Sequence, residues 1–367
     1  MEANEGFMQR ALELAERGAG FVYRENPLVG AVVVKENAII AEGFHQRYGG
    51  PHAEVCALEA AGAKAKDADL YVTLEPCAHY NKKTPPCVDK IIASGIRRVF
   101  IAMRDPNPKV NGRGVQRLKA AGIEVIESIL EKQARRLNEI YIKYITTGRP
   151  FVLLKMAMSA DGKIATVTGD SKWISGEESL KLVHELRNRF MAVLVGINTM
   201  LKDDPQLNTR LTQKARDPLR IILDSKGRIS LEAKVLHLES SAKTVIATTE
   251  AISPEKEAQL RRLGAEVWKL SAREHKVDLR VLIDKLATEK IDSLLVEGGS
   301  TVAASFLKAG LIDKVLFVIA PKLLGGQEAP GPFGGEGVEN IRKAIQLRDV
   351  SVRMLGEDVI YEGYLKS

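Results

Sequence analysis

Apolar residues along this chain fall into short blocks separated by longer amphipathic stretches, and that alternation predicts the elements. The opening segment from Phe7 to Arg17 is amphipathic and predicts a helix. Leu28–Val34 is a nearly continuous apolar run and predicts a strand, with Ala38–Ala41 as its hairpin partner. Gly49-Gly50-Pro51 then breaks the chain before a helical stretch from His52 to Ala63. A strand over Leu70–Leu74, a helix from Pro86 and a strand over Arg98–Met103 follow. A helix over Gly114–Ala121, a short strand over Ile123–Val125 and one long helix over Leu130–Tyr144 complete the series.

Thr146-Thr147-Gly148-Arg149-Pro150 closes the long helix, because glycine and proline both oppose its continuation. A second series starts at Phe151–Lys155. Its further strands are expected at Ala192–Val195, Arg220–Leu223, Thr244–Ala247, Ser293–Val296 and Lys314–Ile319. Apolar strands alternating with helices predict an α/β fold in each half. The expected organisation is one domain over residues 1–147 and a second over residues 148–367.

Composition narrows the class. Hydrophobic residues make up 45% and charged residues 28%, a globular mixture that excludes a disordered or fibrous chain. No apolar run approaches the roughly 20 residues that span a bilayer, so no membrane partner is expected. The N-terminal Met1-Glu-Ala-Asn-Glu-Gly6 carries early acids and no hydrophobic signal core, and the expected compartment is the cytoplasm. The net charge of +7 is spread without a basic block, which suits small anionic substrates at least as well as nucleic acid. Aromatic residues, at 5%, are too sparse to suggest a base-stacking groove. No nucleic-acid partner is expected.

Cysteine and histidine placement changes the picture. All three cysteines, Cys56, Cys77 and Cys87, lie between residues 45 and 87, together with His45, His52 and His79. Three cysteines cannot form a fully paired disulfide framework. His52-Ala53-Glu54 opens a helix, Glu75-Pro76-Cys77 ends a strand, and Pro85-Pro86-Cys87 opens the next helix. Those positions can converge at one edge of an α/β sheet. Zinc accepts tetrahedral nitrogen and sulfur ligands, and His52, Cys77 and Cys87 leave its fourth position for water. Glu54 is then the proton carrier that attack on an amidine-type carbon requires. His-x-Glu followed by Pro-Cys and a second cysteine is the pattern of zinc deaminases. The ligand loop is longer than usual, with nine residues between the two cysteines. Cys56 is expected to be a core residue of its helix.

In the second half no Gly-x-Gly-x-x-Gly occurs. A strand does lead into Glu297-Gly298-Gly299-Ser300-Thr301 and an amphipathic helix, a turn that can admit a phosphate to main-chain N–H groups. A turn that needs glycine for packing alone accounts for it equally well.

Several stretches resemble the bifunctional riboflavin-biosynthesis deaminase/reductase family. They are Asn26-Pro27-Leu28-Val29-Gly30, Pro51-His52-Ala53-Glu54, Thr73-Leu-Glu-Pro-Cys77, Lys83-Thr-Pro-Pro-Cys87 and Asp105-Pro-Asn-Pro108. In the second half they are Lys155-Met-Ala-Met-Ser159-Ala-Asp161, Gly169-Asp-Ser171-Lys-Trp173 and Asp203-Asp204-Pro205-Gln-Leu207-Asn-Thr-Arg210. The resemblance implies a cytidine-deaminase-like α/β/α domain followed by a dihydrofolate-reductase-like α/β domain. It implies deamination of 2,5-diamino-6-(5-phosphoribosylamino)pyrimidin-4(3H)-one with zinc, then reduction of the ribosyl group by NADPH. By the same resemblance Asn26, His45, His79 and a loop lysine contact the first substrate; of Lys82 and Lys83, Lys83 is favoured because it immediately precedes Thr84-Pro-Pro-Cys87. Ala157, Trp173, Thr199, Asp203, Ser225, Gly299, Ser300 and Thr301 hold NADPH. Ser171, Arg187, Leu207, Arg210 and Glu297 hold the second substrate, with Lys155 and Glu297 as candidates for polarising or protonating the opening sugar. A homo-oligomer is compatible with these expectations. The competing expectation is a tRNA base deaminase with an accessory RNA-binding domain.

Overall fold

The computed structural model describes residues 2–23, 25–79, 85–211 and 215–366, without the side chains of residues 2 and 3. The chain divides into two compact units, Met1–Gly148 and Arg149–Ser367.

The first unit runs α1 (Glu2–Glu16), β1 (Gly30–Lys35), β2 (Ala38–Phe44), α2 (Ala53–Ala61), β3 (Asp69–Leu74), α3 (Cys87–Ala93), β4 (Arg98–Met103), α4 (Arg113–Ala120), β5 (Glu124–Glu127), α5 (Glu131–Leu137) and α6 (Glu139–Thr147). Its sheet has the order β2-β1-β3-β4-β5. β1 is antiparallel to β2 and β3, whereas β3, β4 and β5 are parallel. β3 is buried along its whole length, as expected of a central strand covered on both faces.

Helices on opposite faces of this sheet follow from two glycines. A Cβ at Gly30 would meet the Ala11 carbonyl oxygen of α1 at 2.0 Å, and one at Gly43 would meet the Ala57 nitrogen of α2 at 2.5 Å. Gly43 pairs with Ala31, the neighbour of Gly30, so the two glycines point to opposite faces. The helix bearing His52 and Glu54 therefore lies directly on β2, across the sheet from α1.

The single helix expected over Leu130–Tyr144 is instead two, interrupted at Asn138. The cause is a tertiary contact. Asn138 is buried, its Oδ1 accepts the Leu28 N–H at 2.8 Å, and its Nδ2 donates to the Leu28 carbonyl at 3.0 Å. One amide thus satisfies both main-chain groups of a residue just before β1. Asn138→Ala would strand both, at about 1–3 kcal/mol for each unmatched buried group. The expected result is a lower urea midpoint for the first unit; an unchanged midpoint would contradict the clamp.

The second unit begins with β6 (Phe151–Ser159), α7 (Glu177–Arg189), β7 (Ala192–Gly196), α8 (Ile197–Asp203), β8 (Leu219–Leu223), β9 (Thr244–Thr248), α9 (Pro254–Arg262) and β10 (Glu266–Lys269). It continues with β11 (Ala272–Arg273), β12 (Lys276–Val277), α10 (Leu279–Thr288), β13 (Ser293–Val296), α11 (Ser300–Lys308), β14 (Lys314–Ala320), β15 (Leu347–Leu355) and β16 (Asp358–Leu365). Nine strands form one sheet in the order β10-β9-β8-β7-β13-β6-β14-β16-β15. Pairing is parallel from β10 to β14 and antiparallel through β16 and β15. The C-terminal hairpin was not expected from the pattern. β15 reads Leu-Arg-Asp-Val-Ser-Val-Arg-Met-Leu and is largely exposed at the sheet edge, so no apolar block marks it.

Candidate active sites

In the first unit, three donors on three elements meet. His52 stands just before α2 in extended backbone, Cys77 follows β3, and Cys87 is the first residue of α3. His52 Nδ1 lies 3.2 Å from Cys87 Sγ and 3.6 Å from Cys77 Sγ. The Cys87 N–H donates to Cys77 Sγ at 3.3 Å. Among the described residues these three make a cluster whose ligand atoms all lie within 4.8 Å of one another. One imidazole nitrogen and two sulfurs, both cysteines being buried, fit zinc.

Glu54 occupies the first turn of α2 and is 3% exposed. Residues two apart diverge on a regular helix, but His52 is still in extended conformation, which lets both side chains serve one site. Burial raises the pKa of the Glu54 carboxyl, opposed by the neighbouring His52.

The turn carrying Cys77 is held from behind. The buried Glu75 carboxylate accepts main-chain N–H groups of Asp105 (3.3 Å), Gly112 (2.9 Å), Gly114 (2.9 Å) and Val115 (3.2 Å). Asp105, first residue of the Asp-Pro-Asn-Pro segment, accepts the Tyr141 hydroxyl at 2.8 Å, and burial pushes its carboxyl up to about 6. Arg117 of α4 pairs with Asp89 of α3 and donates to the Ala78 carbonyl, joining the segments that bear the two cysteines.

Of the residues expected to contact substrate here, His45 has its ring 5.5 Å from that of His52. The Pro51 carbonyl, 2.8 Å from His45 Nδ1, can only accept, so Nδ1 carries the proton. Nε2 is buried without a hydrogen-bond partner among the described residues, and burial lowers the pKa of the ring. His45 thus keeps an acceptor for an incoming N–H or O–H. Asn26 and His79 are half-buried. Lys83 lies outside the described residues. Cys56 is half-buried rather than a core residue: it sits against Gly43 on the sheet-facing edge of α2.

In the second unit, the C-terminal ends of β6, β7, β8 and β13 surround a cavity of about 780 Å³, the usual ligand position of a parallel sheet. Lys155, Ala157, Ser171, Thr199, Asp203, Ser225, Glu297, Gly299, Ser300 and Thr301 all line it. A Cβ at Gly298 would collide with Val302 at 2.6 Å, so that glycine serves packing of α11. At Gly299 the nearest atom would be Thr199 Oγ1 at 3.9 Å, leaving open space at the start of α11. That space and the helix terminus fit a phosphate-bearing cofactor.

Trp173 is not among the lining residues. It is 65% exposed, and its carbonyl accepts Lys322 Nζ at 2.8 Å. Arg187 is no solvated helix residue: it is buried, and its Nε and Nη2 grip Glu297 at 2.9 and 2.8 Å. Burial opposes ionisation of Glu297, but the Arg187 guanidinium and Lys155 overcome it and lower its pKa. Glu297 is therefore held ionised and is no proton donor near neutrality. Lys155 shows the converse, burial lowering its pKa despite Glu297. Leu207 and Arg210 lie on the segment that receives Arg187 Nη1 at the Asn208 carbonyl, 3.1 Å away. Leu207 is buried and Arg210 exposed.

The sequence reading missed Asp358, whose buried carboxylate accepts the Gly176 N–H and the Ser179 hydroxyl at the start of α7. No local signal links residues so far apart. It also missed His184, although the spacing of His184 and Arg187 on an amphipathic helix was visible.

Both halves match known family models. Residues 1–103 match the cytidine and deoxycytidylate deaminase zinc-binding region, and residues 150–361 match the RibD C-terminal domain. The riboflavin biosynthesis protein RibD of Actinobacillus pleuropneumoniae is 45% identical over 356 residues, covering 97% of this chain and 94% of that protein. RibD of Aquifex aeolicus is 45% identical over 359 residues, covering 98% of each. The chain belongs to the RibD family. Solved structures agree. Acinetobacter baumannii RibD superposes with a TM-score of 0.86 at 38% identity, over 100% of this chain and 99% of that one. The deaminase/reductase of Thermotoga maritima gives 0.85 at 42% identity, again over 100% and 99%.

This RibD family member is a bifunctional enzyme of riboflavin biosynthesis, a zinc deaminase joined to an NADPH-dependent reductase. The expected cytidine-deaminase-like first half and α/β reductase second half are borne out. A tRNA base deaminase is not favoured. Among the described residues no helix is long and apolar enough to cross a membrane.

Proposed function

We propose that the first unit deaminates 2,5-diamino-6-(5-phosphoribosylamino)pyrimidin-4(3H)-one and that the second reduces the ribosyl group of the product to ribityl. The observation that carries the first assignment is the meeting of His52, Cys77 and Cys87 beside buried Glu54. His52, Cys77 and Cys87 would hold the ion. Zinc, when bound, supplies the Lewis acidity that brings water to nucleophilic strength near neutral pH. Glu54 takes one proton of the attacking water at its carboxylate and gives it to the ring nitrogen, then carries the remaining hydroxyl proton to the amino group, which leaves as ammonia. His45 accepts at Nε2, and Asn26, His79 and Lys83 complete the hold on the pyrimidine and its ribosyl phosphate.

In the second unit, Thr199, Asp203, Ser225 and the Gly299-Ser300-Thr301 turn hold the cofactor, with Ala157 against it and Trp173 closing over it from its exposed position. NADPH, when bound, supplies the two electrons of the reduction. Lys155 holds a proton at Nζ for the sugar oxygen that is freed when the ring opens. Glu297, fixed by Arg187, orients the opened sugar instead of protonating it. Ser171 and Leu207 flank the pyrimidine, and Arg210 offers its guanidinium to the phosphate. The substrates are small molecules and the compartment is the cytoplasm; nucleic acid is no partner in this reading.

The test is a coupled assay with the zinc-loaded protein. The diaminopyrimidine phosphate should release ammonia in proportion to NADPH oxidised. Removing the metal with a chelator should abolish ammonia release, while NADPH oxidation with the deaminated compound persists. Loss of both activities together, or of neither, would overturn the division of labour.

A further inference from the structure

Helix α7 presents His184 and Arg187 on one face, because side chains three positions apart are neighbours. Arg187 is committed to Glu297 and to the Asn208 carbonyl. His184, one turn earlier, meets the same loop two residues later. The Arg210 main-chain N–H lies 3.2 Å from its Nδ1, and the Arg210 side-chain Nε lies 3.4 Å from its Nε2. Both ring nitrogens therefore face one arginine, one its main-chain N–H and the other its Nε, and a neutral imidazole accepts at one of the two.

The loop needs such anchors. Leu207 is a buried non-glycine residue with φ of 55°, a conformation that neighbouring contacts must hold. Three consecutive residues supply three attachments: Asn208 to Arg187, Thr209 through its N–H to Asp217 Oδ1 at 2.7 Å, and Arg210 to His184. Asn208 Oδ1 and Thr209 Oγ1 are buried with no hydrogen-bond partner among the described residues. The loop therefore carries polar groups that its own fold leaves unmatched, as a ligand-facing segment would.

We propose that His184 is a positioning residue of the reductase: its neutral ring accepts one Arg210 N–H and so holds residue 210 with its exposed guanidinium already set for the substrate phosphate. This rests on the reading that Arg210 binds that phosphate. A free arginine loses rotamer freedom on capturing an anion, a cost that a clip removes beforehand. The imidazole is suited to the task because it stays neutral. Burial lowers its pKa, and the charges of Arg187 and Arg210 add to that, against the Asn208 carbonyl and Glu297. A neutral ring can accept from Arg210 where a cation could not.

The experiment compares the deaminated substrate with the same compound lacking its phosphate, in the full-length protein. His184→Ala is expected to raise KM for the phosphorylated compound about three- to tenfold, with kcat within about twofold. KM for the dephosphorylated compound should not change. His184→Gln, whose amide oxygen can accept the Arg210 N–H, should restore most of the loss. Arg210→Ala, run in parallel, must itself raise KM for the phosphorylated compound selectively. If it does while His184→Ala has no effect, the positioning role fails and the phosphate reading stands. If Arg210→Ala leaves the two substrates equally bound, the phosphate reading falls and takes the proposal with it. An equal KM rise for both compounds, or a loss confined to kcat, makes His184 merely structural and overturns the proposal. Should the alanine variant fail to fold, His184→Met keeps the bulk without the acceptor and is expected to give the same KM selectivity; its absence would count equally against the role.

Discussion

Glu54→Gln is expected to lower ammonia release by about 10²–10⁴-fold, the usual range for loss of a general acid–base group, without loss of zinc. Glutamine matches glutamate in shape, and Glu54 supplies none of the three clustered ligand atoms, so the metal should remain. What disappears is the ability to hold and release a proton at a site 3% exposed, where bulk water cannot easily substitute. Zinc content by metal analysis and ammonia release measured on one preparation separate the two effects. NADPH oxidation with the deaminated compound should be unaffected. Full deaminase activity in a zinc-replete variant would remove Glu54 from the chemistry.

The second large effect concerns a residue that touches no ligand. A Cβ at Gly114 would sit 2.1 Å from the Pro76 carbonyl oxygen and 3.1 Å from Glu75 Oε1. The nearer atom is main chain, so no side-chain rotation relieves the clash. Gly114→Ala must push α4 away from the Glu75-Pro76-Cys77 turn, loosening four hydrogen bonds to Glu75. Overpacking of this kind typically costs about 1–3 kcal/mol and sometimes more; here the displaced turn also carries a ligand. The expected outcome is a lower unfolding temperature of the first unit together with weaker zinc binding in a competition titration. Normal zinc affinity with normal stability would show that the turn has slack that the packing denies.

Much of this enzyme could be read from local pattern. The strands β1, β3, β4, β6, β7, β8, β9, β13 and β14 are short apolar blocks, and an apolar block between helices has few other uses. The metal cluster was legible for a different reason. Histidine, two cysteines and glutamate at the ends of predicted elements carry their chemistry in the residue type, and the fold only had to bring element ends together. The cavity-lining residues of the second unit were named because their stretches resemble a family, not because any one of them is distinctive.

Other features depend on contacts between distant residues, and no local window contains them. The break at Asn138 exists because Leu28, 110 positions away, offers an N–H and a carbonyl to one amide. Arg187 looks like any charged residue on a surface helix until Glu297 is folded against it, and that contact decides that the glutamate stays ionised. Likewise the edge strand β15 has no apolar block, since pairing with β16 rather than burial defines it. Residue chemistry thus prescribed which reactions this chain can perform. Three-dimensional packing assigned each group its charge state, its partner and its place, because those properties arise from neighbours that sequence distance conceals.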